Sequence, residues 1–174
     1  MSSRKKLTIR TRRRAMNKWL LSRKFKTDDL NSSRLFDNST FYTSFISDLR
    51  SSERSVYIES PFITSRRMSE LLPIFAQLRR KGLHIIVNTR CPDEHDGNYA
   101  NQAANAVLSM QTLGIKVLYT VKHHRKLAII DGTVLWEGSL NILSQNDSCE
   151  MMRRSKSATL VRQMIEFTGM SQYF

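Results

Sequence analysis

The sequence predicts an α/β domain in which a mixed β-sheet is flanked by helices, preceded by a basic N-terminal arm. Three observations predict it. Helix-like and strand-like hydrophobic patterns alternate through the middle of the chain, an Asp-Gly pair separates two short apolar runs, and basic residues are concentrated at the N-terminus. We place the arm and its linker at residues 1–38 and the folded domain at residues 39–174.

The composition is that of one globular domain. The chain has 174 residues, of which 40% are hydrophobic and 25% are charged. Its two cysteines, Cys91 and Cys149, form no CxxC pair, which excludes a disulfide scaffold or a zinc ribbon and favours a reducing compartment. Residues 1–26 contain no apolar signal segment, and no apolar run approaches the ~18 residues of a membrane span. We therefore expect a cytoplasmic protein without stable membrane insertion.

The charge is unevenly distributed. Residues 1–26 hold 11 basic residues and no acidic one, whereas the other 148 residues hold 17 basic and 15 acidic residues. Such an arm predicts a polyanionic partner, nucleic acid first (DNA before RNA) and anionic lipid second, with a solvated tail as the alternative. The basic residues expected to contact nucleic acid are Arg10, Arg12, Arg13, Arg14, Lys18, Arg23, Lys24 and Lys26.

The arm contains a candidate helix and is followed by a linker. Residues 14–26 have the pattern of a short basic helix whose apolar side carries Trp19, Leu20 and Phe25, suited to docking on the domain or to a membrane surface. Residues 27–38 are polar and rich in turn-forming residues, which places the boundary there.

Helices and strands alternate after this boundary. Ser39 or Thr40 is expected to cap a helix with apolar residues at 41, 45, 46 and 49, and Pro73 is expected to start or kink the second helix. The alternation predicts an α/β layer with parallel strands. The expected strands are 55–58, 83–88 and 115–119, and the expected second and third helices are 68–81 and 100–113.

A hairpin follows this alternation. The runs 127–130 and 133–136 flank Asp131-Gly132, a strong hairpin signal. A two-residue turn would pair Ile130 with Thr133 and Lys126 with Glu137. Because side chains alternate along a strand, His124 and Lys126 would share one face, extended by Ser139 and Asn141 into a potential phosphate site. A last helix is expected over 157–169.

The residues His124, Lys126 and Asp131, followed by Gly138-Ser139 and Asn141, resemble the HKD signature of the phospholipase D superfamily. The resemblance extends over about residues 39–174 and implies the fold of that family. Only one copy of the motif is present, as in the small nucleases of the superfamily that build one active site from two subunits. The resemblance therefore implies a homodimer with a shared active site.

The resemblance also implies roles. His124 would be the nucleophile that forms a phosphohistidine, and His124 of the second subunit would protonate the leaving oxygen. Lys126, Ser139 and Asn141 would bind substrate and stabilise charge on the phosphoryl group. The family mechanism uses no metal or other cofactor. The full set of candidate catalytic residues is His124, Lys126, Asp131, Ser139, Asn141 and Glu150, of which Glu150 would orient the histidine and Asp131 is expected to hold the hairpin or the dimer.

Other residues give weaker signals. His123 is expected beside the site or exposed. Acidic residues and a histidine at 93–96 form a loop that we interpret as solvated rather than as a metal site. Glu59 and Ser60 end a predicted strand, where α/β proteins often place a cleft.

These observations predict a metal-independent phosphodiesterase, above all a nuclease acting through a phosphohistidine. Two alternatives stay open. One is a phospholipid phosphodiesterase or transphosphatidylase held at anionic membranes by the arm. The other is a non-catalytic nucleic-acid-binding module of a larger helicase-type machine.

Overall fold

The computed structural model describes residues 32–144 and 148–174. Within them the chain forms seven strands and four α-helices. In chain order these are β1 (Ser33–Asp37), α1 (Asn38–Arg50), β2 (Ser55–Glu59), α2 (Ser65–Arg80), β3 (His84–Thr89), α3 (Asn98–Thr112), β4 (Lys116–Tyr119), β5 (Leu127–Ile130), β6 (Val134–Gly138), β7 (Met151–Lys156) and α4 (Ala158–Thr168). Short 3₁₀ turns cover Pro92–Glu94 and Ser171–Tyr173.

The strands form one mixed sheet in the order β1-β7-β6-β5-β2-β3-β4. β2, β3 and β4 run parallel, and all other neighbours are antiparallel. The predicted α/β class with a mixed sheet is therefore confirmed. β5 runs against β2, with Leu127 paired to Glu59, so the start of β5 lies at the edge where β2 and β3 end. This edge positions the candidate site.

Helices pack on both faces of the sheet. The larger core joins α1, α2 and α3 to one face, and Trp136 lies at its centre with Phe41 and Phe45 packed against the indole edge. The smaller core joins α4 to the other face through residues such as Tyr57 and Val161. Alternate residues of β2 therefore enter different cores, which buries this central strand on both sides.

The N-terminal boundary differs from the prediction. Ser33–Asp37, within the predicted linker, forms an edge strand that pairs antiparallel with β7. This strand was absent from the prediction because turn-forming residues surround it in the sequence. It forms only by pairing with β7, which is more than 100 residues away. Asp37, rather than Ser39 or Thr40, caps α1, and Thr40 completes the capping box. The predicted helix at 14–26 lies outside the described residues.

The second helix is longer than predicted. It begins at Ser65 and holds Pro73 in its interior. Pro73 cannot donate a backbone hydrogen bond, but the fully buried Leu71 and Phe75 beside it anchor the helix to the core and offset that loss. β7 was also missing from the prediction.

The hairpin register is shifted by one residue from the prediction. Ile130 pairs with Val134, and Leu127 rather than Lys126 pairs with Glu137. Asp131 and Gly132 have φ of 53° and 67°, as a type I′ turn requires, and the Ile130 carbonyl accepts from the Thr133 N–H at 3.1 Å. The turn type is therefore the predicted one. The register differs by one residue because Thr133 is not paired in the sheet, so the first pair after the turn is Ile130 with Val134.

No helix in the described ranges is long and apolar enough to cross a bilayer.

Candidate active site

His124 and Lys126 lie at the sheet edge, on the segment that leads into β5. His124 is exposed, and the Lys126 ammonium nitrogen lies 3.2 Å from its Nδ1 and 3.4 Å from its Nε2. The same ammonium donates to the His124 carbonyl at 2.7 Å. The alternation predicted from sequence thus brings the imidazole and the ammonium together on one face, open to a ligand.

Lys126 is half-buried, and its electrostatic surroundings are mixed. Partial burial lowers the pKa of Lys126, and the positive charge of Arg90 lowers it further, whereas Glu150 raises it. The Lys126 ammonium therefore lies between one negative and one positive neighbour, and its own charge is available to an added anion.

Close packing between β6 and β7 requires a glycine at position 138, directly before Ser139. A Cβ on Gly138 would lie 2.1 Å from the Met151 carbonyl oxygen, so only glycine fits. The Gly138 N–H donates to the Lys126 carbonyl at 3.2 Å, which joins this segment to the histidine strand. The exposed Ser139 donates its N–H to the Met151 carbonyl and accepts the Met151 N–H on Oγ. Its hydroxyl hydrogen remains available for a further acceptor.

Asn141 is buried, with 9% of its surface exposed. Its Oδ1 atom is buried and has no hydrogen-bond partner among the described residues. The Tyr42 hydroxyl lies against the carbonyls of Asn141, Ile142 and Ser144, and this burial raises the pKa of Tyr42 to about 12. The Asn141 backbone is thus held by Tyr42, and its side-chain Oδ1 is a buried acceptor without a partner among the described residues.

Glu150 does not contact the His124 ring in the described part of the chain. Its Oε1 accepts from the Ser148 hydroxyl at 2.8 Å, and its N–H donates to Asn38 at 3.1 Å. Its charge acts on Lys126 instead. The orienting role expected for Glu150 stays a prediction.

Asp131 lies at the opposite end of β5, about 13 Å along the strand from the histidine end. Its carboxylate accepts the backbone N–H groups of Glu53, Arg54 and Ser55 at 2.8–3.0 Å. Partial burial would raise the pKa of Asp131, but these three bonds and the Arg54 charge lower it below its usual value. The carboxylate thus fastens the hairpin to the start of β2, and a direct part of this candidate catalytic residue in the reaction is not supported by its position.

We predict that Asp131→Asn lowers the free energy of unfolding at pH 7 by about 1–2 kcal/mol, because the charge-assisted bonds weaken at a partly exposed position. Asparagine tolerates the positive φ, so backbone strain does not confound the change. A carboxyl with a lowered pKa stabilises the fold above its unfolded pKa and loses this effect as the pH falls through the folded pKa. The free energies of unfolding of both proteins, measured in urea, should therefore begin to converge as the pH falls below about 4 and continue to do so through the lowered folded pKa; a difference constant with pH would contradict this role.

A buried polar cluster supports the other face of the histidine segment. Glu59 is completely buried, and its carboxylate accepts from the Tyr57 hydroxyl, from Asn88 at 3.2 Å and from two Arg125 nitrogens, one at 2.9 Å. Arg125 is the residue between His124 and Lys126. The salt bridge thus anchors the middle of the motif from the opposite face of the sheet.

The charges within this cluster are balanced. Burial alone would raise the pKa of Glu59, but the hydrogen bonds from Arg125 and Tyr57 and the Arg125 charge lower it. His123 is 2% exposed, with its Nε2 3.8 Å from the Glu59 carboxylate, and burial lowers the pKa of His123. Glu59, weighed from sequence as a possible cleft residue, instead lies beneath the site, where it holds the strand.

Sequence reasoning missed Arg90. It follows β3 directly, donates to the His123 carbonyl at 2.7 Å and adds positive charge beside Lys126. Its place after the carboxyl end of a strand was the available signal. Among the described residues, no group of three or more His, Cys, Asp or Glu side chains is arranged to hold a metal ion.

Comparison with known proteins identifies the domain. The model of the family described as "Cardiolipin synthase, PLD-like domain" matches residues 45–170, most of the chain. A search of curated protein sequences finds no match.

Solved structures show a similar fold. Nuc from Salmonella typhimurium, described as a phospholipase D family member, is 16% identical, with a TM-score of 0.63 over 78% of this chain and 90% of its own. NucT from Helicobacter pylori is 18% identical, with a TM-score of 0.58 over 78% and 91% of the two chains. TrmBL2, an archaeal chromatin protein described with a novel mode of DNA binding, is 10% identical, with a TM-score of 0.57 over 94% and 61%.

Proposed function

We propose a metal-independent phosphodiesterase activity on nucleic acid for this chain, which belongs to the phospholipase D superfamily. The observation that carries the proposal is the Lys126 ammonium held 3.2 Å from the exposed His124 imidazole. An open imidazole is a competent nucleophile toward phosphorus, and a neighbouring cation stabilises the anionic group that it attacks.

The proposed reaction has two steps. A ring nitrogen of His124 attacks phosphorus, the P–O bond to the leaving group breaks, and an acid supplies a proton to the leaving oxygen. Water then attacks the phosphohistidine, the P–N bond breaks, and the same acid, now a base, takes the proton from water. Lys126, Ser139 and Asn141 bind the non-bridging oxygens throughout.

We propose that the acid is His124 of a second copy of the chain. In-line displacement requires the nucleophile and the acid on opposite sides of phosphorus, which one imidazole cannot satisfy. The described residues place no other titratable group in contact with His124 besides Lys126. An isologous dimer would bring the two histidines together at its two-fold axis.

The choice of nucleic acid as substrate rests on charge and likeness rather than on the catalytic residues, which would serve any phosphodiester. The chain carries a net charge of +13, most of it in residues 1–26, and such charge binds a phosphate backbone by releasing counterions. A structurally similar protein, TrmBL2, is described as binding DNA. The eight arm residues proposed to bind nucleic acid lie outside the described residues.

A phospholipid substrate is the second candidate. The family description names cardiolipin synthase, and the catalytic residues proposed here would serve any phosphodiester. Such an enzyme would use the same residues on a different diester.

We predict that the purified 174-residue chain cleaves oligonucleotides, tested both as single strands and as duplexes, in the presence of millimolar EDTA, because Lys126, Ser139 and Asn141 supply charge stabilisation that a metal would otherwise provide. The assay follows product on gels, with phosphatidylcholine and cardiolipin vesicles tested in parallel. A His84→Ala protein serves as the matched control, since the exposed His84 starts β3 at the opposite sheet edge.

The outcomes separate the three candidate functions. Release of phosphatidic acid without DNA cleavage would establish the lipid enzyme. Binding of oligonucleotides without cleavage would establish the non-catalytic module. Cleavage that stops in EDTA and returns with Mg²⁺ would contradict the proposed mechanism.

A further inference from the structure

A cluster of aromatic side chains lies beside the candidate active site, and the proposed chemistry does not use it. Phe62 packs near two other rings, with its centroid 5.2 Å from that of His95 and 6.5 Å from that of Tyr99. Half of the Tyr99 surface is exposed, so part of its ring is open to a ligand. We call Phe62, His95 and Tyr99 the aromatic patch.

Arg90 connects this patch to the catalytic segment. Its guanidinium carbon lies 5.1 Å from the Phe62 centroid, within the range of a cation–π contact. Its Nε donates to the carbonyl of His123, the residue before His124, and its charge acts on Lys126. A continuous series of contacts therefore leads from the nucleophile through a cation to an exposed ring.

The charges around the patch indicate which part of a ligand it can accept. The loop that carries His95 also holds Asp93, Glu94 and Asp96, which repel phosphate. A phosphate is favoured at Arg90 and Lys126, and a neutral planar group is favoured at Tyr99. A nucleotide has both parts in covalent connection.

We propose that Tyr99 stacks on an unpaired base next to the scissile phosphate, so that the enzyme acts on single-stranded nucleic acid. This inference rests on the proposed function. Bases in a duplex already stack on their neighbours, and extracting one costs a few kcal/mol, whereas a single strand offers its base faces without that cost. In this arrangement Phe62 packs against the tyrosine ring in a T-shaped contact, and Arg90 binds the connecting phosphate.

The test measures binding by fluorescence anisotropy to the full-length His124→Ala protein, which holds the strand without cutting it. The probes are an oligothymidylate and a deoxyribose-phosphate chain of equal length without bases, so charge is constant and only stacking differs. We expect the oligothymidylate to bind about tenfold more tightly, as one or two stacked bases predict. Tyr99→Ala should abolish most of this ratio, and Tyr99→Phe should retain it because the ring remains.

Phe167→Ala is the matched control, because Phe167 is 69% exposed on α4, on the other face of the sheet. Equal binding of the two probes to the parent protein would overturn the inference without any substitution in the patch. If the affinity ratio between the two probes persists in Tyr99→Ala, the inference is overturned too. It is also overturned if Tyr99→Ala keeps this ratio and loses binding to phosphatidylcholine–cardiolipin vesicles. If neither probe binds and wild-type protein cuts no oligonucleotide, the proposed function itself fails.

Discussion

His124→Ala should reduce cleavage of a nucleic acid substrate by about 10⁴- to 10⁶-fold, the loss usual when a covalent nucleophile is removed. The expected loss is this large because the same side chain serves twice in the proposed dimer, as nucleophile in one subunit and as acid in the other. Substrate affinity should change little, since Lys126, Ser139 and Asn141 are intact. Single-turnover kinetics and anisotropy separate the two effects.

Two further observations sharpen this test. Rapid acid-free quenching of the wild-type reaction should trap label from a ³²P-substrate on the protein, and mapping should locate it on His124. The His84→Ala protein should cleave at the wild-type rate. Turnover by His124→Ala within tenfold of wild type would eliminate the phosphohistidine mechanism.

Much of the fold was predictable because local pattern and tertiary packing agree. The buried strands β2 and β3 are continuous apolar runs, and the type I′ turn follows from Asp131-Gly132 alone. β7 was missed because its sequence, MMRRSK, carries charge where a strand pattern expects apolar residues. Arg154 is accommodated there because its guanidinium pairs with Asp48 of α1, at 2.7 and 2.9 Å. No local signal reveals such a partner.

The sequence predicted one face of the candidate site and did not predict the other. The face with His124 and Lys126 follows from alternation along one strand and from a linear motif. The supporting face does not, because the partners of Glu59 come from β2, from β3 and from the segment before β5. A carboxylate with no exposed surface is stable only with such partners, and their convergence is a property of the sheet order.

A further consequence concerns assembly. Glu59 is occupied by Arg125, Tyr57 and Asn88, and Asp131 is bound to backbone at the far end of β5, so neither carboxyl is available to protonate a leaving group at His124. Glu150 accepts from the Ser148 hydroxyl, its charge raises the pKa of Lys126, and no hydrogen bond joins it to the His124 ring in the described part of the chain. These contacts leave the three carboxyls committed elsewhere, which supports the proposal that His124 of a second copy supplies the proton.

A mixed dimer of one wild-type and one His124→Ala chain should accordingly lose at least about 100-fold in turnover, because a general acid contributes about 10²- to 10⁴-fold and the mixed site lacks either the acid or the nucleophile. Two affinity tags on co-expressed chains allow its isolation, and light scattering should give about twice the chain mass of 20.2 kDa. A mixed dimer of wild-type and His84→Ala chains, purified in the same way, should retain full turnover. Independent active sites would leave half of the activity in the first mixed dimer, and that result, or a fully active monomer, would place the acid within one chain.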